Sequence, residues 1–455
     1  MSFMIAFGLS SVMLCLGVLL RAKIPFLRNM LVPSSVIAGI LGFTLINLAI
    51  AFNFELGTDT AMFTEIVNQL FTVSFISISL TSSPKGSGTK NMLKGALGLG
   101  TIWSLLYALT PLVGVGVLCL VGQFFDMHFN YGMLIQFGFC QGPGQAAAYG
   151  KILEGYPGIW ENATMVAITF AAIGFLVAFL VGIPAAKHGI KCGAAKNCGQ
   201  LNPTILKGYL KKEEQTDHMV KDTTCNSNIE TLAFHFALIG LCYILALGIG
   251  KLMNFIPGLG ASLGAMTFMN GMYAAYIVKF VMKLLKVDFL LENTLQSKIT
   301  GWTSDYLVVC AFMAISVSLI SDWLIPIAIV AAAVTAVTYI ICFYFGRRLG
   351  GSNDFERFLG LYGTCTGTVP SGISLVRIVD PNFHTSTAVE LGACNLFMLF
   401  CTPVYLLILA YGQGSLKAPV LFIGLAICVV IYLVILKLTK CWNKPTFSWK
   451  VEKQK

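Results

Sequence analysis

Charged residues are scarce in this sequence. Lysine, arginine, aspartate and glutamate make up 11% of its 455 residues, whereas soluble domains have about 25%. Hydrophobic residues make up 56%, and the mean hydropathy is +0.80. The longest polar stretch is 187–230, so we see no segment in which a separate soluble domain would fold. The composition is typical of a protein that crosses a membrane several times.

The sequence also lacks the motifs of membrane enzymes. An intramembrane aspartyl protease needs paired aspartates and a prenyl transferase needs clustered ones, and neither pattern occurs in the apolar runs. No nucleophile motif accompanies His235 or His384. The glycine-rich runs follow no predicted strand, which excludes a soluble-type dinucleotide site. The histidines and cysteines of the polar loop match no standard zinc spacing: His188, Cys192, Cys198 and His218. We therefore predict neither an enzyme nor a zinc protein.

Apolar runs that can cross a ~30 Å hydrocarbon layer as helices recur along the chain. We predict eleven such crossings, which lie at 3–20, 30–51, 62–82, 95–121, 161–186, 231–250, 257–282, 302–320, 323–345, 384–410 and 418–437. Two other apolar segments, 131–150 and 357–376, are rich in glycine and interrupted. We interpret these two as re-entrant segments. The predicted fold class is an all-α integral membrane protein with about eleven transmembrane helices.

The charges of the loops predict the orientation, because basic loops stay on the cytoplasmic side. The loop after the first crossing is basic and the next is acidic, which places the N-terminus outside. The alternation continues only if 131–150 dips in from outside and 357–376 from inside. The C-terminus is then cytoplasmic. Basic loops that face an anionic leaflet explain the net charge of +10, so we predict the lipid bilayer and no nucleic acid as a partner.

The two interrupted segments resemble each other. They read "GFCQGPGQ" from Gly138 and "GTCTGTVPSG" from Gly363. Each half of the chain then has five crossings and one re-entrant segment, and an odd number of crossings inverts the second half, as in many secondary transporters. The predicted division is a first repeat (1–186), a basic cytoplasmic linker (187–230), a second repeat (231–410), and an extra helix with a basic tail (411–455).

Interrupted helices inside a membrane expose backbone N–H and C=O groups that bind ions and polar ligands. Our candidate substrate-binding residues are Gln141, Gly142, Gly144, Gln145, Thr366, Gly367, Thr368, Ser371 and Arg377. Candidate sodium ligands are Ser77, Thr364 and Glu390. The alternative for the small residues is close helix packing.

Two charged residues, Arg377 and Glu390, have more than one interpretation, and two others form a predicted pair. Arg377 binds a substrate carboxylate or pairs with Asp380, and both alternatives stay open. Glu390 neutralises Arg377, binds sodium or accepts a proton, and we favour a buried ion pair with Arg377. Lys151 and Glu154 have the spacing of a structural ion pair in the other half.

Three stretches resemble the bacterial sodium/glutamate symporter family. They are "GPGQAAAYGKILEGYPGIWENATMVAITFAAIGFLVAFLVGIPAA" at 142–186, "GTCTGTVPSGISLVRIVDP" from Gly363, and "IPFLRNMLVPSSVIAG" from Ile24. The resemblance extends over residues 1–410. Pro143 and Gln145 stand where family members have His and Thr, and Arg377 stands where a neutral polar residue is usual.

The resemblance implies an elevator-type secondary transporter that takes up L-glutamate with sodium as the coupling ion and has no organic cofactor. It also implies a homodimer in the inner membrane of a bacterial cell. The departures leave a different substrate open, a small organic anion such as a hydroxycarboxylate, driven by sodium or by protons. A channel is a further alternative, which saturable and gradient-dependent flux would exclude.

Overall fold

All of the regular structure in the described part of the chain is helical, as predicted. The computed structural model describes residues 2–29, 32–81, 89–197, 222–225, 227–256, 260–380 and 384–449. Most of the predicted linker, the glycine- and lysine-containing loop at 82–88, and the last six residues lie outside these ranges.

The helices follow the order predicted for two repeats. The first half contains α1 (Ser2–Lys23), α2 (Ser34–Ala51), α3 (Thr60–Leu80), α4 (Thr89–Val121), α5 (Ile135–Phe139), α6 (Pro143–Glu154) and α7 (Ala163–Lys191). The second half contains α8 (Thr231–Met253), α9 (Thr267–Leu284), α10 (Asn293–Met313), α11 (Leu324–Gly346), α12 (Asp354–Thr366), α13 (Val369–Val379), α14 (Thr387–Ala393) and α15 (Thr402–Gly412). The additional helix is α16 (Ala418–Leu438).

Eight helices among the described residues are long and apolar enough to span a bilayer. They are α1, α2, α3, α4, α7, α8, α11 and α16. Three of the predicted crossings are not single, continuous helices over the predicted range. The segment at 257–282 contains a short helix, Gly260–Ala265, before α9, and the segment at 302–320 is broken after α10. The segment at 384–410 is not one helix, because a 3₁₀ stretch, Cys394–Cys401, separates α14 from α15.

Acidic side chains fix the starts of several helices. The Asp59 carboxylate accepts a hydrogen bond from the backbone N–H of Met62 at the start of α3. Glu230 accepts one from the N–H of Ala233 at the start of α8. These caps satisfy N–H groups that a helix leaves without partners, and the negative charge suits the positive end of the helix dipole.

The helices form two bundles. The flanking bundle consists of α1–α3 and α8–α10, and the hairpin bundle consists of α4–α7 and α11–α16. Packing within them is nearly symmetric between the halves. Helix α1 packs on α2 in the first half, and α8 packs on α9 in the second half. Between the halves, α2 packs on α10, and α9 packs on α3. This exchange symmetry supports the prediction of an internal repeat, and the exact domain limits stay a prediction.

The break after α10 is held by a side chain of the flanking bundle. The Asn47 amide donates to the carbonyl of Ile315 at 2.9 Å and accepts from the N–H of Val317 at 2.8 Å. One asparagine thus satisfies both a free carbonyl and a free N–H, which an apolar environment would otherwise penalise.

The chain beyond α16 folds back against the hairpin bundle. The backbone N–H of Thr446 donates to the carbonyl of Arg347 at 2.9 Å, and its hydroxyl donates to Asp354 at the start of α12 at 2.9 Å. The Trp449 ring stacks on Phe343 with centroids 5.2 Å apart. The described part of the tail, up to residue 449, therefore braces the base of α12.

Candidate functional site

Each predicted re-entrant segment is a pair of short helices separated by a break. Hairpin 1 consists of α5, α6 and the break between them. Hairpin 2 consists of α12, α13 and the break between them. In hairpin 1 the break ends at Gly142, which has φ = +79°, and Pro143 begins α6. In hairpin 2 Gly367 ends α12, and Pro370 lies in the first turn of α13. Proline favours the start of a helix because it has no N–H to donate and a fixed φ.

The tips of the two hairpins touch. A methyl group placed at Gly142 would lie 2.6 Å from the Thr368 side chain and 3.2 Å from the Gly367 carbonyl oxygen. One placed at Gly174 in α7 would lie 2.2 Å from the Thr366 carbonyl oxygen. Because these distances leave no room for a side chain, glycine is required for the contact. Residues that lie far apart in the sequence thus meet at one point inside the hairpin bundle.

Three glutamines lie buried in hairpin 1. Gln136 and Gln145 have no exposed surface and Gln141 is 8% exposed. Both amide atoms of Gln136 and of Gln141, and the amide nitrogen of Gln145, make no hydrogen bond to the chain. The Gln145 oxygen accepts a long hydrogen bond, 3.4 Å, from the Tyr107 hydroxyl. A buried amide without partners costs roughly 1–3 kcal/mol, so these groups are suited to a polar ligand.

The hydroxyls of hairpin 2 divide into two sets. Thr364 and Thr366 each donate to a carbonyl one turn earlier in α12, at 2.8 Å. Thr368 and Ser371 lie across the first turn of α13, with their oxygens 3.5 Å apart, beside Gly142. Thr368 and Ser371 are therefore the hydroxyls at the point where the hairpins touch. Amide and hydroxyl oxygens are hard ligands that fit a cation such as sodium.

Glu390 forms a buried ion pair, but with a different arginine from the one expected. Both of its carboxylate oxygens accept hydrogen bonds from Arg357, each at 2.7 Å, instead of from Arg377. Asp354 also binds Arg357, at 3.0 Å. The carboxylate packs against Gly95 in α4, where a methyl group would lie 2.4 Å from it. The prediction of Arg377 as the partner was wrong because packing, and not sequence spacing, brings α12 and α14 together.

The other predicted pair, Lys151 with Glu154, differs as well. Lys151 pairs with Glu65 of α3 at 3.3 Å, while Glu154 accepts a hydrogen bond from the N–H of Thr164. Asp380 accepts hydrogen bonds from the backbone N–H groups of His384 and Thr385. The carboxylates predicted as partners within one helix thus cap the following segments.

Arg377 and Ser77 lie apart from the hairpin tips. Arg377 is exposed, and a helix of nine residues separates it from Thr368, about 13 Å along the axis. The Ser77 hydroxyl, in α3, contacts both the backbone and the side-chain oxygen of Gln296, at 2.8 and 2.5 Å. Of the residues predicted to bind substrate, those at the tips are brought together: Gln141, Gly142, Gly367, Thr368 and Ser371.

A cavity of about 430 Å³ lies between the two bundles. Its walls come from the second arm of hairpin 1 on one side and from α3, α8 and α9 on the other. The Lys151–Glu65 ion pair lies in its lining, together with Phe71. The Phe71 ring also covers Gly144, where a methyl group would lie 2.1 Å from the ring. The sequence did not predict this cavity, because no motif marks a space that forms between two bundles.

The described residues contain no group of three or more His, Cys, Asp or Glu side chains spaced to hold a metal ion.

Comparison with known proteins identifies one family. The sequence model described as sodium/glutamate symporter matches residues 1–383, which includes both hairpins. A search of curated proteins finds no match. The family is one of transporters and not a class of enzymes, which agrees with the multiple membrane-spanning helices. By the length of this match, the chain belongs to the sodium/glutamate symporter family.

Proposed function

We propose that the protein is a secondary active transporter that carries L-glutamate, or a closely related small carboxylate, into a bacterial cell together with sodium. The observation that carries the proposal is the contact of the hairpin tips at Gly142 and Thr368. Gln141, which directly precedes Gly142 in the chain, has a buried amide that makes no hydrogen bond to the chain. Helix ends and amides at such a point bind anionic groups and sodium in many transporters. The protein would lie in the inner membrane as a homodimer, with its N-terminus outside and its C-terminus in the cytoplasm.

Transport by alternating access requires the hairpin bundle to move against the flanking bundle. Among the described residues, the polar contacts between the bundles are weak. Lys151 and Glu65 form an exposed ion pair at 3.3 Å. The other contacts go to methionine sulfurs, from Tyr149 to Met266 at 3.8 Å, from Tyr405 to Met269 at 3.5 Å, and from the Ser316 N–H to Met165 at 3.3 Å. Methionine side chains adapt to a changing surface with little cost. Such an interface supports sliding of one bundle as a unit, which is an elevator motion.

The test is uptake of radiolabelled L-glutamate into proteoliposomes that contain the purified protein. We expect saturable uptake that depends on an inward sodium gradient and is abolished when choline replaces sodium. Hydroxycarboxylates and other small carboxylates, added as competitors, would define the substrate class. Uptake that does not saturate would favour a channel, and uptake driven equally well by a proton gradient alone would reject sodium coupling.

A further inference from the structure

The cavity between the bundles contains an ordered chain of polar groups. The Tyr243 hydroxyl donates to the side-chain oxygen of Gln69. The Gln69 amide donates to one oxygen of Glu65 at 2.6 Å, and Lys151 approaches the other oxygen at 3.3 Å. Glu65 is therefore oriented by its own bundle, while the Lys151 ammonium comes from hairpin 1.

The bond between Lys151 and Glu65 is suited to exchange. Their side chains are 66% and 44% exposed, and an ion pair in contact with water contributes little net stability. Glu65 keeps its hydrogen bond from Gln69 when Lys151 leaves, so its charge stays partly compensated. Lys151 is thus the cation of the lining that another carboxylate is able to bind.

The size and walls of the cavity fit a small amphipathic anion. A volume of about 430 Å³ lies within the range of small-molecule sites, about 300–1,000 Å³. Apolar side chains form part of the lining, and amide and hydroxyl groups form the rest. The polar members besides the ion pair are Asn68, Gln69, Thr72, Tyr156, Tyr243 and Thr267.

The inner end of the cavity adjoins hairpin 1 near its tip. Phe71 lies between the cavity and Gly144, and its ring packs against Phe268 with centroids 4.9 Å apart and against Phe75 with centroids 4.6 Å apart. These aromatic rings separate the cavity from the residues where the hairpins touch. A molecule in the cavity would need the Phe71 ring to move before it reached the tips.

We propose that this cavity is an outer binding subsite for the carboxylate of the transported anion, in which Lys151 exchanges Glu65 for the substrate. The inference rests on the proposed function and adds a residue and a location to it. Glu65 acts as the resting partner that the substrate displaces, and Phe71 closes the path to the hairpin tips until the substrate is bound.

The test compares two substitutions that break the same ion pair, Lys151→Gln and Glu65→Gln. If Lys151 binds the substrate, Lys151→Gln raises the KM for uptake about tenfold or more, since the carboxylate loses its cation. Glu65→Gln lowers the KM, because the substrate no longer competes with Glu65 for Lys151. The double variant should behave like Lys151→Gln, because Glu65 acts only through Lys151.

A purely structural ion pair predicts a different pattern, in which both single variants change the KM in the same direction. That result, with wild-type protein that takes up glutamate normally, would overturn the subsite and leave the proposed function intact. Absence of sodium-driven uptake by folded wild-type protein would reject both. Lys251→Gln, which removes an exposed cation near the end of α8 and outside the cavity lining, is the control for net charge and should leave the KM unchanged.

Discussion

The glutamines of hairpin 1 give the most specific test of single side chains. Gln141→Leu removes a buried amide that has no partner in the chain, so we expect the folded protein to be as stable as wild type or more stable. If that amide binds substrate or sodium, uptake should nevertheless fall at least about tenfold. Thermal unfolding and sodium-dependent uptake, measured on the same preparation, separate the two effects.

The matched control is Gln296→Leu. Gln296 is buried in the flanking bundle and accepts a hydrogen bond from Ser77 at 2.5 Å. Its replacement should lower stability and leave the sodium dependence of the remaining uptake unchanged. Unchanged uptake by Gln141→Leu would show that this amide binds neither ligand.

The Arg357–Glu390 ion pair should be a determinant of stability. The two side chains are 8% and 1% exposed, and removal of the Glu390 charge leaves the buried Arg357 with Asp354 as its one remaining carboxylate partner among the described residues. Because Asp354 still compensates part of the Arg357 charge, we expect Glu390→Gln to destabilise the protein by about 2–3 kcal/mol, measured by chemical or thermal unfolding in detergent. Joint replacement of both residues by methionine should recover part of this loss. A stable Glu390→Gln variant with altered sodium dependence would instead make Glu390 an ion ligand.

The contacts of the tail after α16 lead to a prediction about hairpin 2. Trp449 stacks on Phe343 and also contacts Phe358 of α12, with centroids 6.0 Å apart. Loss of these contacts in Trp449→Ala should lower the unfolding temperature and reduce the maximal rate of uptake, because the base of α12 loses its support. Trp442→Ala is the control, since that ring packs on Phe345 of α11 and makes no ring contact with hairpin 2. Equal effects of the two substitutions would contradict a specific role in bracing α12.

The helices and hairpins were largely predictable because their signals are local. Apolar runs of the length of a bilayer predict spans, and glycine followed by proline predicts the break at Gly142. The breaks at 314–316 and 394–401 were not predicted, since their stability depends on partners such as Asn47 in other helices. The prediction that Arg377 is the ion partner of Glu390 was wrong for the same reason. Sequence spacing identifies neighbours on one helix, whereas Arg357 reaches Glu390 from another.

The arrangement of the two bundles explains why the candidate site could only be predicted in part. Residues at the hairpin tips carry their own signal, because close backbone contact requires glycine, as at Gly142. Lys151, Glu65 and Phe71 carry none, since each is an ordinary residue of an amphipathic or apolar helix. Their common cavity exists only because hairpin 1 lies against α3, and that contact depends on the packing of both bundles.

The most direct test of the account is sodium-dependent glutamate uptake by Gly142→Ala and Gly414→Ala. Both glycines have a positive φ, +79° and +82°. The ψ of −174° at Gly142 lies in a region that essentially only glycine adopts, so uptake is compared per amount of folded protein in the membrane. Only at Gly142 would the new methyl group collide with the opposite hairpin, at 2.6 Å from Thr368, whereas nothing lies within 4 Å at Gly414. If the hairpin tips form the transport site, Gly142→Ala loses uptake and Gly414→Ala keeps most of it. Equal uptake by the two variants would contradict the account.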